Sequence, residues 1–593
     1  MSDQSMRYYE RELAYVRKSL GEFSNLHPQE ASHLQINRNS VEDPNISRLI
    51  EGMALLTAKT EQRLDQQLPE LVQDLLSILY PGLIEVVPSY FPLRLQPDLA
   101  TMKENTQLPA SSLVQVQLED ESYCQFSTVC DLNIYPYYLA DVSAQAAPFS
   151  ILPPLDVKGA EAVIQLQLNC ADPKASFKQM QLGDFEFYVN GFQGDSQILV
   201  ELLLEQTVNI TVSDTLGKRH AAVSLSAMQN RVTESGFQWL AKYDNHFSGY
   251  DLLRDYFSYA DKSAYFKITG LGEQLQSFNE NQLLLNIYVE KLPAEFLRMF
   301  QRQVFSLYTV PAINRFMQSA EPLSYDASAL AMPVIGDADA QSIVEVISVA
   351  AVYEINAYGQ SKLPELYKNR YADDITKRQW LSRTKWNIEG DREVEISVTL
   401  AEAELQRENI TLAMDLWCGN GRTACLIAAH STVESLSTID LPGELLVAAV
   451  PSAPQYPDLD DSIYWRFISL LNANFISLMQ SDQPEKSLCD ILSLCNQGRE
   501  CPQISSIKKV SYQPKVATIQ VCEQPIFTTG SQINVTLDRQ LLAGKHSVFS
   551  EVLNVFFQQF CSYDRFVQLE LKHFGDDSYI KRFDAVHGSQ ACL

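Results

Sequence analysis

A chain of 593 residues and 66.9 kDa is too large for one hydrophobic core, so several domains are required. Its 46% hydrophobic and 20% charged residues exclude long-range disorder. A formal charge of -27, with no local basic run to offset it, excludes nucleic-acid binding as a function class.

The first eighty residues read as helical. Tyr9, Leu13, Val16, Leu20 and Phe23 recur at alternating four- and three-residue steps, a seam along one side of a helix. His27-Pro28 breaks it. Asp43 as N-cap and Pro44 at the first helical position restart it, and Ile46, Leu49, Ile50, Met53 and Leu56 form the next apolar stripe. Pro69 opens a third segment, "ELVQDLLSILY", which stops at Pro81-Gly82. Helices this long and one-sided need a covering surface, from this chain or from another.

"VPSYFPLRLQPD" is a proline-punctuated crossing, after which the period changes to two. "LVQVQL", "VIQLQL", "FEFYVNG" and "VNITVS" predict antiparallel strands with one wet face. Helical patterning returns in "GYDLLRDYFSY" and in "AEFLRMFQRQVFSLYTVPAINRF". Strands resume at "ISVAAVYEI" and "EVEISVTL". "WRFISLLNANFISL" and "SLCDILSLCN" read as helices, followed by the strand "QINVTL", the helix "SVFSEVLNVFFQQF" and the strand "RFVQLEL". The expected fold class is α+β: an N-terminal helical segment, then antiparallel β-rich domains with inserted helices. The expected division is 1–88 helical, 89–245 β-rich, 246–375 mixed, and 376–593 α+β. No fixed-period repeat or low-complexity linker interrupts it.

No apolar stretch has the ~18–20 uninterrupted residues a membrane helix needs. "SIVEVISVAAVYEI" comes nearest, but Glu345 and Glu354 interrupt or end it. The charged N-terminus lacks a signal-peptide core, so direct membrane insertion and export are not expected, and the cytoplasm is. Eleven cysteines without a CxxC pair read as reduced, mostly buried thiols.

One stretch imitates an enzyme. In "ITLAMDLWCGNG", Ile410 to Gly421, an Asp at the end of an apolar run feeds a glycine turn, as in S-adenosylmethionine-dependent methyltransferases. The residues argue against that reading. Leu412, Met414 and Leu416 alternate with Thr411, Ala413 and Asp415, whereas a central parallel strand would be continuously apolar. Trp417 stands where such a loop needs its first glycine. Asn420-Gly421 reads as a tight turn in an antiparallel meander with "EVEISVTL". Cys489, Cys495 and Cys501, six residues apart, point in different directions on a helix and predict no metal site. HExxH, GxSxG and Walker patterns do not occur. The reading is therefore of a protein with no catalytic, cofactor or metal residues that works by contact.

Several blocks together resemble the TssF family (also called VasA or ImpG), the baseplate subunit of the bacterial type VI secretion system. They are "YYERELAYVRKSLGEFSNLHP", "DPNISRLIEGMALLTAKTEQRLD", "LLSILYPGLIEVVPS", "CQFSTVCDLNIYPYYLADV", "HFSGYDLLRDYFSYADKSAYFKITGL", "VPAINRFMQSAEPL", "YWRFISLLNANFISL" and "VFSEVLNVFFQQFCSYDRFVQLEL". Arg315 departs from the apolar residue expected in the sixth. Cys418, Asn420 and Arg422 occupy the family's cysteine-containing turn.

The resemblance implies a fold like that of phage-tail baseplate wedge proteins and a non-catalytic role. It implies assembly of two copies with one TssG, and with TssK and TssE, around the spike hub, docking the sheath on the inner-membrane complex. It supplies no catalytic residues. The candidate subunit interface is the stripe Tyr9, Leu13, Val16, Leu20, Ile46, Leu49, Met53 and Leu56, which could equally be core. The alternative function is the methyltransferase-like enzyme on Asp415 and the Gly419–Gly421 turn.

Overall fold

The computed structural model describes scattered positions between 9 and 29, then residues 44–588 apart from short stretches, the longest being 367–377, 400–409 and 458–482. It divides into two compact units, Met1–Leu79 with Leu459–Ile468, and Tyr80–Asp458 with Ser469–Leu593.

In the first unit the described positions from 9 to 29 are helical, including Leu26 and Gln29 on either side of the expected His27-Pro28 break. The break itself, Asp43 and Leu20 lie outside the described residues. Helix α1, Pro44–Leu79, begins at the expected proline and runs unbroken for 36 residues. Pro69 therefore does not open a separate helix. Its fixed φ is helical, and one missing hydrogen bond, a cost of about 3 kcal/mol, is absorbed by a ladder this long. The helix ends where predicted, passing into a 3-10 turn at Pro81–Leu83.

In the second unit six strands close a barrel in the order Tyr90–Pro97, Thr309–Ile313, Tyr123–Thr128, Leu113–Gln117, Thr432–Ser435 and Gly443–Val447. The "crossing" at residues 90–97 is thus a barrel strand. Pro92 lies opposite Pro311, and two prolines can face each other only at a non-hydrogen-bonded pair. The helix expected over 294–316 is reduced to one turn, Ala294–Leu297, followed by strands Phe305–Ser306 and Thr309–Ile313. Every residue of Thr309–Ile313 is buried. A strand covered on both faces loses the period of two that would have identified it.

A five-stranded sheet centres on Ala162–Cys170 and Gln282–Val289. Helix α2, Gln197–Glu205, leads into its strand Thr207–Asp214. A four-stranded sheet carries Phe185–Val189 and Tyr265–Ile268, preceded by helix α3, Ser248–Ser258, as predicted. Two further sheets enclose one core, in which Leu412, Met414, Leu416 and Cys418 of one meet Ile396, Val398 and Trp380 of the other.

"EVEISVTL" and "ITLAMDLWCG" therefore belong to different sheets and are not meander neighbours. Arg392–Val398 pairs with Trp380–Trp386, and Ile410–Gly419 with Glu345–Asn356. Each had a better partner elsewhere in the chain.

Helix α4, Pro484–Cys495, precedes the C-terminal sheet. There the long hairpin Ile507–Val521 and Gln524–Leu537 is joined through helix α5, Ser547–Gln559, to Phe566–His573. The ladder between Gln524–Leu537 and Phe566–His573 is parallel, because a helical crossover returns the chain in the same direction. The helix expected at "WRFISLLNANFISL" lies outside the described residues.

Candidate functional site

The enzyme-like turn is built from the inside outward. Along Ile410–Gly419, the side chains of Leu412, Met414, Leu416 and Cys418 enter the core and those of Thr411, Ala413, Asp415 and Trp417 face away. Asp415 receives a hydrogen bond from Ser319 Oγ at 3.4 Å, and the Arg315 guanidinium lies 4.3 Å over the Trp417 ring. That stacking gives Arg315, the residue unlike the expected family pattern, a definite place. Burial pushes the Cys418 thiol up to about 12, which leaves it un-ionised and unreactive.

Asn420 is 3% and Asn314 2% exposed, and their side chains are reciprocal. The Asn420 N–H donates to Asn314 Oδ1 at 2.5 Å, while Asn314 Nδ2 donates to Asn420 Oδ1 at 2.8 Å. Asn420 Oδ1 also accepts from the Gln125 N–H at 2.9 Å, and its Nδ2 donates to the Ile343 carbonyl at 3.1 Å. The clasp ties the end of the 410–419 strand to barrel strand Tyr123–Thr128 and to the turn after Thr309–Ile313.

The expected tight turn is therefore corrected. Asn420 sits at φ −101°, only Gly421 takes a positive φ of 52°, and the chain enters a 3-10 helix, Gly421–Leu426. Gly419 and Gly421 do not open onto a ligand. A Cβ at Gly419 would lie 2.9 Å from the Asn314 carbonyl oxygen, and one at Gly421 would lie 2.6 Å from Glu345 Oε2. Asp415, on the outward face, is not aimed at the turn, and exposed Asp440 contributes nothing to it.

A second constellation went unseen in the sequence. Arg254, Asp255 and Lys262 are each 1–2% exposed, and Lys262 pairs with Asp255. Asp255 also receives the Trp239 and Leu240 N–H groups at 3.2–3.4 Å. Arg254 donates to the Glu85 carbonyl at 3.0 Å, and Tyr259 to that of Pro88 at 2.9 Å. A buried pair of this kind does little for net stability but is costly to break. Here it fixes α3 to the strands and loops beside it.

Glu201, Glu205 and His546 bring metal-ligating atoms within 4.8 Å of one another. Each carboxylate is already hydrogen-bonded within the chain. Glu201 accepts the Ser547 N–H at 3.0 Å, and Glu205 accepts from His546 Nε2 and Ser547 Oγ, each at 2.8 Å. The carboxylates cap the first turn of α5. Burial lifts Glu201 above the usual carboxylate range. Glu205 is raised less by burial than it is lowered by its donors, and lies below that range.

The predicted seam divides. Tyr9, Leu13 and Val16 are half-buried; Leu20 and the Ile46 side chain lie outside the described residues. Leu49, Met53 and Leu56, at helical steps of four and three, are 71%, 62% and 68% exposed. Ala54 and Ala58, on another side of α1, are buried. The helix thus carries a covered alanine face and an uncovered stripe of large apolar residues.

The sequence pattern of the type VI secretion system TssF family matches residues 1–590. The chain belongs to the TssF family. It is 22% identical, over 621 aligned positions covering both proteins fully, to the type VI secretion system component TssF1 of Pseudomonas aeruginosa PAO1. Its fold resembles a chain of the TssK-TssF-TssG baseplate subcomplex solved by cryo-electron microscopy. There the TM-score is 0.73 at 21% identity, over 92% of this chain and 99% of that one. A chain of the type VI secretion baseplate complex gives a TM-score of 0.58 at 20% identity, over 99% and 100% of the two chains.

Two of the TssF-like blocks now have physical content. "HFSGYDLLRDYFSYADKSAYF" builds the buried Arg254–Asp255–Lys262 network, and "LWCGNGRT" builds the Asn314–Asn420 clasp. Both are architecture. Among the described residues, the TssF-like stripe Leu49, Met53 and Leu56 on α1 stands exposed.

Proposed function

We propose that this chain is a non-catalytic structural subunit of the type VI secretion baseplate, working by contact at the cytoplasmic side of the inner-membrane complex. The observation that carries the reading is the exposed stripe Leu49, Met53 and Leu56, three large apolar side chains aligned on one helix. TssK and TssG, found with TssF in the complex of a similar fold, are the proposed partners, and helices of TssG the proposed cover for the stripe. Two copies per TssG, contact with TssE, and approach to the spike hub belong to the same proposal, on the family resemblance.

No helix among the described residues is long and apolar enough to cross a membrane, which suits a subunit held in place by other proteins. Co-expression with TssG and TssK, followed by mass measurement of the purified assembly, tests the reading. A stable complex with two copies of this chain per TssG is expected. A chain that stays alone in the presence of both would overturn it.

A further inference from the structure

The C-terminal sheet has two unlike faces. On one, Val510, Ile533, Val535, Leu537, Leu569 and Leu571 are buried, and Lys581, opposite Leu571, reaches Glu551 of α5 at 3.2 Å. This is the helix-covered side. On the other, residues paired across the strands form polar rows. Lys509 aligns with Thr536, Lys572 and Tyr579, and Ser511 with Asn534, Glu570 and Arg582. Gln513 aligns with Gln532 and Gln568. Lys515 donates to Gln568 Oε1 at 2.8 Å.

Four cations in these rows, Lys509, Lys515, Lys572 and Arg582, stand against one carboxylate, Glu570, which Arg582 Nε already binds at 2.6 Å. Lys572 and Arg582 flank the half-exposed Tyr579 ring at 4.9 and 5.5 Å. An excess of positive charge on a chain of net charge -27 is a local inversion of the field. No basic run announces it in the sequence, because strand pairing gathers lysines that lie tens of residues apart.

Edge protection accounts for only part of this. Lysines and a proline on an edge strand discourage unwanted pairing, and Lys509, Pro514 and Lys515 lie on the edge strand Ile507–Val521. Lys572 lies on Phe566–His573, an interior strand with neighbours on both sides, where no edge needs guarding.

We propose that this lysine-and-amide face is a docking surface for an acidic patch on a protein partner. The four cations supply the attraction. Gln513, exposed at the edge of the glutamine row, supplies hydrogen bonds that suit a polar, separable contact, while Gln532 and Gln568 are held by bonds to Asn534, Lys515 and the Phe583 carbonyl. The net negative charge of the chain disfavours an extended polyanion, which would run beyond the patch into repulsion.

The test uses the full chain and a fluorescent, short polyglutamate of about six residues, no longer than the patch, read by anisotropy at about 50 and about 200 mM salt. Binding that weakens with salt is expected. It should fall at least about tenfold in Lys509→Glu/Lys515→Glu/Lys572→Glu and stay unchanged in Lys59→Glu, an exposed lysine on α1. Should the triple reversal fail a thermal-melting check, the Lys→Gln triple replaces it, with a loss of about threefold expected. Absence of binding to the native chain, or undiminished binding to the triple variant, overturns the proposal. So does tighter binding of duplex DNA or of phosphatidylglycerol vesicles than of polyglutamate.

Discussion

Replacing Leu49, Met53 and Leu56 together by alanine separates an interface from a core. A fully buried leucine or methionine is worth about 1.5–3 kcal/mol. These three are already about one-third covered, so the remaining burial is worth about 1–2 kcal/mol each. Alanine keeps part of that, which leaves a loss of about 2–4 kcal/mol on association, or about 30- to 1,000-fold in Kd. The isolated chain should be little affected, because exposed substitutions stay within about 0.5 kcal/mol and alanine is the better helix former. The assay is affinity for co-purified TssG, paired with thermal melting of the chain alone. Unchanged affinity refutes the assignment of the stripe. A melting temperature lowered by more than about 5 °C refutes its exposure.

Three further outcomes follow from the second unit. Asn420→Ala strands the Gln125 N–H and the Ile343 carbonyl and leaves Asn314 Nδ2 with the Gln125 carbonyl alone, and should cost about 2–4 kcal/mol in urea unfolding, the double change with Asn314→Ala costing less than the sum of the two single changes. Lys262→Met leaves the buried Asp255 without its cation, and should cost about 3–5 kcal/mol in the same assay. Adding Asp255→Leu should restore only part, because the Trp239 and Leu240 N–H groups lose their acceptor. Glu205 is depressed below its ordinary 4.5 on folding, so its contribution is present above that value and lost as pH falls through the folded one. Acid-unfolding profiles of Glu205→Gln should therefore be flatter below pH 4.5 than those of the native chain.

Alternating strands such as Leu113–Gln117 and Ile410–Gly419 were legible in the sequence, because their burial follows the residue pattern position by position. Thr309–Ile313 was not, since a strand buried on both sides has no alternation to read. Tyr90–Pro97 was hidden by a proline whose tolerance depends on its register against a strand more than two hundred residues away. Arg254 looks like a surface residue of an amphipathic helix until its distant partner, the Glu85 carbonyl, is in place, and Lys262 looks like a solvated lysine until the chain after that helix folds it back onto Asp255. For the stripe, spacing could find Leu49, Met53 and Leu56 but not say what covers them. That distinction comes from the buried Ala54 and Ala58 on another side of the same helix.

The barrel takes its first strand from Tyr90–Pro97 and its last from Gly443–Val447, and these two are hydrogen-bonded neighbours. On the ribosome the opening strand emerges some 350 residues before the one that seals it. At about 5–20 residues per second that is a wait of about 20–70 s. During synthesis the nascent chain therefore presents open sheet edges to the cell, and its yield should depend on chaperone supply and on slow elongation far more than its finished stability would suggest.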